Sequence, residues 1–265
     1  MNVFSKRNRA ILAEMVRTDF KVRYQGSALG YLWSILKPLA LFGIMYIVFT
    51  VVWPVARGVD YYGVYLLLGI VFWNFFTETT SVGAQSIVTH GSLLRKIDIP
   101  RYLIVIASSV SALINLGLSL LVVIIFAVIS GVPFSSSWLL VMFFGFQLYV
   151  LAVGIALILT TIHVQFRDIA YIWEILLQGG FYASAIIFPL QAVPVMYHKY
   201  FFLNPVVQII QDARFALIQS PDVVTLWNSG AGWKIKLVPF MLIIIICVFG
   251  VLYFRKKSKY FAENV

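Results

Sequence analysis

Residues 102–166 run for 65 positions without one lysine, arginine, aspartate or glutamate. A soluble domain carries about 25% charged residues, so a water-facing fold would have nothing to keep so long a neutral stretch in solution. Helices that cross about 30 Å of hydrocarbon need runs of this kind, roughly 20 residues each. Further charge-free runs occupy 38–56, 61–77, 175–198 and 237–254. With 62% hydrophobic and 11% charged residues, the whole chain reads as a membrane protein. Barrel strands would alternate in polarity over about ten residues. These runs do not, which leaves helices as the spanning structure.

The expected fold is therefore an all-α integral membrane protein with six transmembrane helices, at about 32–53, 62–83, 103–130, 138–160, 169–190 and 235–254. The long neutral stretch divides at GVPFSSS, residues 131–137, the only part of it with turn chemistry. An even number of spans puts both termini on one side. Fifteen of the 20 lysines and arginines then share that side, and only Arg57, Lys199, Arg214, Lys234 and Lys236 face the other. The excess of cations marks the cytoplasm. The net charge of +10 is thus a topology signal and a match to anionic lipid, not a nucleic-acid surface.

Two segments are not simple spans. Ile11, Leu12, Met15, Val16 and Phe20 recur at helical spacing among Arg9, Glu14, Arg17 and Lys21. This predicts an amphipathic helix in the cytoplasmic interface and does not read as a cleavable signal peptide. Residues 191–233 lie outside the spans yet stay apolar, so short re-entrant helices broken at Pro194, Pro205 and Pro221 are expected between spans five and six. The resulting partition is a single domain. An interface helix and gate occupy 1–31, spans one to five 32–190, an extracytoplasmic gate segment 191–234, span six 235–254, and a cytoplasmic tail 255–265.

Enzymatic signatures are missing. The chain contains no G-x-x-x-x-G-K-[ST], G-x-S-x-G or H-E-x-x-H, its one cysteine is Cys247, and His90, His163 and His198 lack ligand spacing. No cofactor or metal is expected in this chain. Two carboxylates fall within predicted spans, Glu78 about 25 Å along span two and Glu174 about 9 Å into span five. Each either marks a polar pathway or reaches the headgroups or a nearby arginine.

LLRKIDIPR, residues 93–101, places Leu93, Leu94 and Ile97 at helical spacing beside Arg95, Lys96, Asp98 and Arg101, with Pro100 ending the helix. It is either a docking helix or a charged loop that fixes topology. Near the N-terminus, Arg17 and Lys21 share a helical face, Arg23 and Tyr24 follow, and Gly26, Gly30, Tyr31 and Trp33 lead into span one. That cluster either anchors the chain at the interface or holds a lipid diphosphate by charge-assisted bonds. Phe42, Tyr46, Tyr149, Phe181 and Tyr182 lie deeper than an aromatic belt requires. They either pack helices or offer rings for a sliding substrate to stack on.

Four motifs, TDFKVRYQGSALGYLWSILKP (18–38), LLRKIDIPR (93–101), VQFRDI (164–169) and LNPVVQIIQDAR (203–214), occur in an order and spacing that resemble the ABC-2 type permeases of polysaccharide exporters. The resemblance covers almost the whole chain and extends to O-antigen, capsule and wall teichoic acid systems. It implies a homodimeric permease in the bacterial inner membrane, with both termini cytoplasmic. Two copies of a separate ATPase would use ATP and Mg, and the cargo would be a glycan on undecaprenyl diphosphate.

The same resemblance implies roles. Leu93, Leu94, Arg95, Lys96, Ile97, Asp98 and Arg101 would couple to the ATPase, with Arg167 and Asp168 as a second contact. Arg17, Lys21, Arg23, Tyr24, Gly26, Gly30, Tyr31 and Trp33 would form a lipid-diphosphate gate. Phe42, Tyr46, Phe181 and Tyr182, in spans one and five, would line the path, and Tyr149 and Glu174 join them as candidates from their depth in spans four and five. The rival readings are an exporter of a drug or simple lipid with the same fold, an ATP-independent secondary transporter relying on Glu78 and Glu174, and a membrane-embedded transferase.

Overall fold

The computed structural model describes residues 6–24, 30–52, 58–96 and 99–261. Among them there are ten α-helices and no strands. The helices are α1 (Lys6–Tyr24), α2 (Trp33–Ile47), α3 (Tyr62–Thr89), α4 (Gly91–Lys96) and α5 (Tyr102–Ile129) in the first half. The second half holds α6 (Trp138–His163), α7 (Ile169–Ala183), α8 (Val195–Phe201), α9 (Pro205–Ile218) and α10 (Trp233–Lys257). A π-turn, Val48–Val52, extends α2.

Among the described residues, four segments are long and apolar enough to cross a membrane: Ile35–Val52, Tyr102–Ile129, Trp138–His163 and Trp233–Lys257. The neutral stretch does split at its turn, where Gly131 takes a φ of +78° that suits glycine. Two expected spans are of another kind. Helix α3 has 28 residues, enough for about 42 Å, but carries a row of polar side chains. Helix α7 has 15 residues and stops at Ala183, seven short of the expected end at 190.

The early end of α7 has a local cause. Ala185 has a φ of +50°, and Pro189, four residues on, has no N–H to offer the Ala185 carbonyl. Arg214 supplies the donors instead. Its Nη1 bonds the Ala185 carbonyl at 2.9 Å, its Nη2 the Ile186 carbonyl at 2.8 Å, and its Nε the Tyr65 carbonyl at 2.9 Å. The guanidinium also lies 3.5 Å from the centre of the Tyr65 ring. This cation, counted by sequence among those facing the outside, is fully buried.

Arg214 belongs to α9, in which 12 of 14 residues are buried against α3, α6 and α10. Asn204 caps that helix by accepting from the Val206 N–H, and Pro205 occupies its first turn. Helix α8 likewise begins just after Pro194. A polar thread joins α9 to its neighbours: Gln147 donates to Gln208 at 2.9 Å, and Gln208 donates to Asp212 at 2.8 Å.

Helix α3 is the core of the bundle and packs on α2, α5, α6, α7 and α9. Across the bundle α6 and α10 meet at Gly154 and Gly250, where a Cβ on Gly250 would overlap the Gly154 carbonyl. At one end Met15, with Ile11, Leu12 and Val16 beside it, packs against Ile104, Val105 and Phe254. Part of the apolar side of α1 is therefore turned onto the start of α5 and the end of α10. The Phe20 side chain lies outside the described residues.

Candidate functional site

Asn74, Thr77, Glu78, Ser81 and Gln85 fall at helical spacing along α3. A polar row on a helix buried this deeply needs something polar to face. It faces two cavities.

The larger encloses about 590 Å³ between α3 and α7. From α3 it is lined by Trp73, Asn74, Thr77, Ser81 and Gln85. From α7 it takes Trp173, Glu174, Leu177, Gln178, Phe181 and Tyr182, positions that share one helical face. The two helices are pinned at both ends of this wall. The Trp173 indole N–H donates to the Thr80 hydroxyl at 3.0 Å, and Thr80 passes its own proton to the Phe76 carbonyl at 2.8 Å. Further along, Trp73 meets Phe181 edge-on at 6.1 Å, and Phe181 meets Tyr182 at 5.5 Å. Gly180 permits that approach, because a Cβ there would lie 2.9 Å from the Trp73 ring.

The smaller cavity, about 470 Å³, opens on the other side of the polar row, between α2, α3 and α5. Trp33 and Lys37 come from α2, Glu78 from α3, and Asn115 and Ser119 from α5. The Asn115 amide donates to Glu78 at 2.8 Å. Asn74, Thr77 and Ser81 line both spaces, so one helix separates two polar compartments.

Of the six residues expected to line a path, Glu174, Phe181 and Tyr182 are brought together on the larger cavity. The other three lie away from that cavity, and Tyr46 is exposed on α2. Phe42 sits between Tyr46 and Phe126, at 5.6 and 5.4 Å. Tyr149 stacks on Phe75 at 6.5 Å, its hydroxyl 3.1 Å from Ser109. What the sequence reading missed is the row on α3 beyond Glu78, together with Trp73, Trp173, Lys37 and Asn115. The signal was partial, since Asn74, Thr77, Glu78, Ser81 and Gln85 keep helical spacing but Thr79 and Thr80 among them are polar as well.

At the end of the bundle that carries α1 and α4, the expected coupling residues separate. Leu93 and Leu94 are half-buried, each packing part of its side chain against the cluster containing Met15, Ile87 and Phe254. A six-residue helix that caps α3 has this cluster as its nearest apolar surface. Arg167 and Asp168 are exposed on the turn between α6 and α7, and Arg101 is half-buried ahead of α5. Ile97 and Asp98, and the side chains of Arg95 and Lys96, lie outside the described residues.

The expected gate is spread out. Arg17 and Lys21 are exposed on α1, Gly30 has a φ of +47°, and Trp33 lines the smaller cavity. Gly26 and the side chains of Arg23, Tyr24 and Tyr31 lie outside the described residues. The imidazole Nε2 of His90 lies 3.4 Å from Asp19, tying α1 to the junction of α3 and α4. Among the described residues no group of histidines, cysteines and carboxylates could hold a metal ion.

Comparison with known proteins fits this arrangement of apolar helices around polar cavities. The chain is 24% identical over 258 residues to the O-antigen export system permease protein RfbA of Klebsiella pneumoniae, covering 96% of this chain and 94% of that one. It is 30% identical over 187 residues to the RfbA permease of Myxococcus xanthus, covering 70% of each. With the polysialic acid transport protein KpsM of Escherichia coli it shares 24% identity over 201 residues, 76% of this chain and 78% of that protein. The family model for the ABC-2 type transporter matches residues 12–218, and the chain belongs to that family.

Proposed function

We propose that this chain is the permease half of an ATP-driven exporter that moves a lipid-linked polysaccharide, of O-antigen, capsule or teichoic acid type, from the cytoplasmic to the outer face of the inner membrane. The observation that carries the reading is the cavity between α3 and α7. One of its walls is a polar row and the other bears indole and phenyl rings, set in a bundle otherwise built from apolar helices. Sugars bind such surfaces because hydroxyls bond to the polar groups while C–H faces rest on rings, and neither contact fixes one register. Likeness to O-antigen and polysialic acid permeases supports the same cargo class.

In this reading α3 and α7 are the two remaining spans, giving six with α2, α5, α6 and α10. The row on α3 and the shortness of α7 follow from facing a path instead of lipid. Helices α8 and α9 enter the membrane from outside and return, which is why α9 is enclosed by protein. Both termini are cytoplasmic, in keeping with the distribution of cations.

Two such chains assemble with two copies of an ATPase subunit that holds ATP and Mg. That partner meets the permease at the α4 loop and at the exposed Arg167–Asp168 turn, and its cycle shifts the bundle between two arrangements. The cargo is carried on undecaprenyl diphosphate, whose phosphates meet Arg17, Lys21 and Arg23 at headgroup depth.

Purification through a tag on this chain, expressed with its neighbouring genes, should bring down an ATPase subunit. The reconstituted complex should then move a lipid-linked glycan when given ATP. Transport of a simple lipid or drug and not of the glycan would favour the rival cargo. Absence of any ATP-dependent movement would remove the exporter reading.

A further inference from the structure

The cavity between α3 and α7 carries charge of one sign. Among the described residues that line it, Glu174 is the one charged side chain, and none is a lysine, arginine or histidine. Its carboxylate makes no hydrogen bond or ion pair among the described residues. The nearest basic residue in sequence is Arg167, on the turn ahead of α7 with Asp168 beside it. Glu174 is exposed, and so is Gln178 one helical turn further on. A carboxylate with no cation, on a helix whose Ile175 and Leu176 are exposed as well, stands in water and not in hydrocarbon. The side of α7 that holds Glu174 therefore faces a wet path.

The other polar groups of the lining are neutral. Asn74, Ser81 and Gln85 on α3 and Gln178 on α7 offer amides and hydroxyls, which bond to sugar hydroxyls as donor or acceptor. A carboxylate, sulfate or phosphodiester on the passing chain would give up water here without finding a cation. It would also meet Glu174, and like charges repel across about 8 Å at physiological ionic strength. The diphosphate of the carrier has cations elsewhere: Arg17 and Lys21 are exposed on α1, and Lys37 lines the smaller cavity.

We infer that the wall formed by α3 and α7 selects cargo by charge, with Glu174 as the specificity-determining residue, so that the transported glycan has repeating units without carboxylate, sulfate or phosphate. This rests on the exporter reading above and narrows it. Teichoic acids, with a phosphodiester in each repeat, and polymers of sialic acid fall outside the range; neutral glycans of O-antigen or capsule type fall within it. Of the cargoes named for the relatives, the wall thus sides with O-antigen over polysialic acid. In a homodimer the second Glu174 adds charge of the same sign.

Three probes test the inference: the lipid-linked glycan extracted from the producing cell, that glycan sulfated on part of its hydroxyls, and that glycan acetylated to the same extent, which adds bulk without charge. Each is offered to the complete complex in proteoliposomes with ATP. The acetylated chain should cross about tenfold faster than the sulfated one, a difference of about 1.4 kcal/mol. Glu174→Gln should bring the two rates within about threefold. Glu14→Gln, which removes an exposed carboxylate from α1, should leave their ratio as it was. Because the ratio is read within one preparation, partial loss of folded complex does not disturb it. Raising salt from about 0.15 M to about 1 M shortens the screening length from roughly 8 to roughly 3 Å, and should shrink the ratio in the unaltered complex but not in Glu174→Gln. The salt series on the unaltered complex carries the test if the variant does not assemble.

Four results would overturn the inference: a native cargo whose repeat carries an anionic group, equal rates for the two modified chains, a ratio unmoved by Glu174→Gln, or a ratio unmoved by salt. ATP-driven movement of the extracted glycan with equal rates for its two modified forms removes the charge filter and leaves the exporter. Movement of none of the three removes both.

Discussion

His90 Nε2 lies 3.4 Å from the Asp19 carboxylate while His90 Nδ1 lies 2.9 Å from the Ser86 carbonyl, so one imidazole bridges α1 to the end of α3. Both contacts are complete only when both ring nitrogens carry protons. The hydrogen bond to Asp19 is the largest influence and raises the His90 pKa above its ordinary 6.5; burial opposes it, and the Ser86 carbonyl and the Asp19 charge add to it.

The sign of the pH dependence follows. A histidine whose pKa is raised by folding contributes fully below pH 6.5, its value in the unfolded chain, and loses that contribution as pH climbs through the raised value. Helix α1 should therefore hold to the bundle more firmly in mild acid. Amide protection factors along α1, taken relative to the base-catalysed rate of a free peptide, should fall on the alkaline side of that window, and Asp19→Asn should flatten that fall. The pair is partly solvated, so the effect should be roughly 0.5–1 kcal/mol. Protection of α1 that does not change with pH in the unaltered chain would mean that His90 does not hold α1.

Arg214 makes a stronger demand. Its three carbonyl bonds join α9, the end of α7 and α3, and a Cβ on Gly69 would overlap its guanidinium. Arg214→Met strips the donors from the Ala185 and Ile186 carbonyls and should cost about 3–5 kcal/mol. Arg214→Lys should recover only part, because an ammonium lacks the planar fork that reaches three acceptors. Gly69→Ala should also destabilise, by roughly 1–3 kcal/mol. Apparent melting temperatures in detergent check all three, and a native melt for Arg214→Met would show that the guanidinium holds nothing.

The same arginine shows where sequence reading stops. Charge-free runs fix where α2, α5, α6 and α10 lie, because hydrocarbon tolerates few alternatives. Proline and asparagine mark the starts of α8 and α9, because a cap is a local event. But the end of α7 depends on a guanidinium 29 residues away in sequence from the carbonyl that it serves. Leu93 and Leu94 show the same limit from the other side: their spacing marks an apolar face, yet the spacing cannot say whether protein or a partner covers it. For the cavities, the row on α3 was partly readable, whereas the wall opposite it emerges only when α7 is laid against it.

Gly179 and Gly180 test that wall in one turn of helix. A Cβ on Gly180 would press on the Trp73 indole at 2.9 Å, whereas one on Gly179 would meet nothing within 4 Å. Gly180→Ala should therefore push Trp73 into the cavity or α7 away from α3, and lower glycan export about tenfold if the distortion costs roughly 1.4 kcal/mol along the path. Gly179→Ala should leave export near its native rate. Surface glycan measured per molecule of permease in the membrane separates a blocked path from poor assembly. Equal effects at both positions would detach transport from this wall.

The α4 end of the bundle allows a sharper division than the motif LLRKIDIPR suggests by itself. Leu93 and Leu94 pack partly against the bundle, so Leu93→Ala should lower stability by about 1–2 kcal/mol with coupling intact in the molecules that fold. Arg167 and Asp168 are exposed, and Asp168 at the start of α7 makes no side-chain capping bond, so reversing both charges should leave stability within about 1 kcal/mol of native. If the ATPase reads that turn, the same reversal should let ATP hydrolysis continue while transport falls, since only the transmitted shift is lost. Measuring hydrolysis and glycan movement in one reconstituted sample distinguishes the cases. Normal coupling after charge reversal, together with uncoupling in Leu93→Ala at full stability, would place the whole of the transmission on α4.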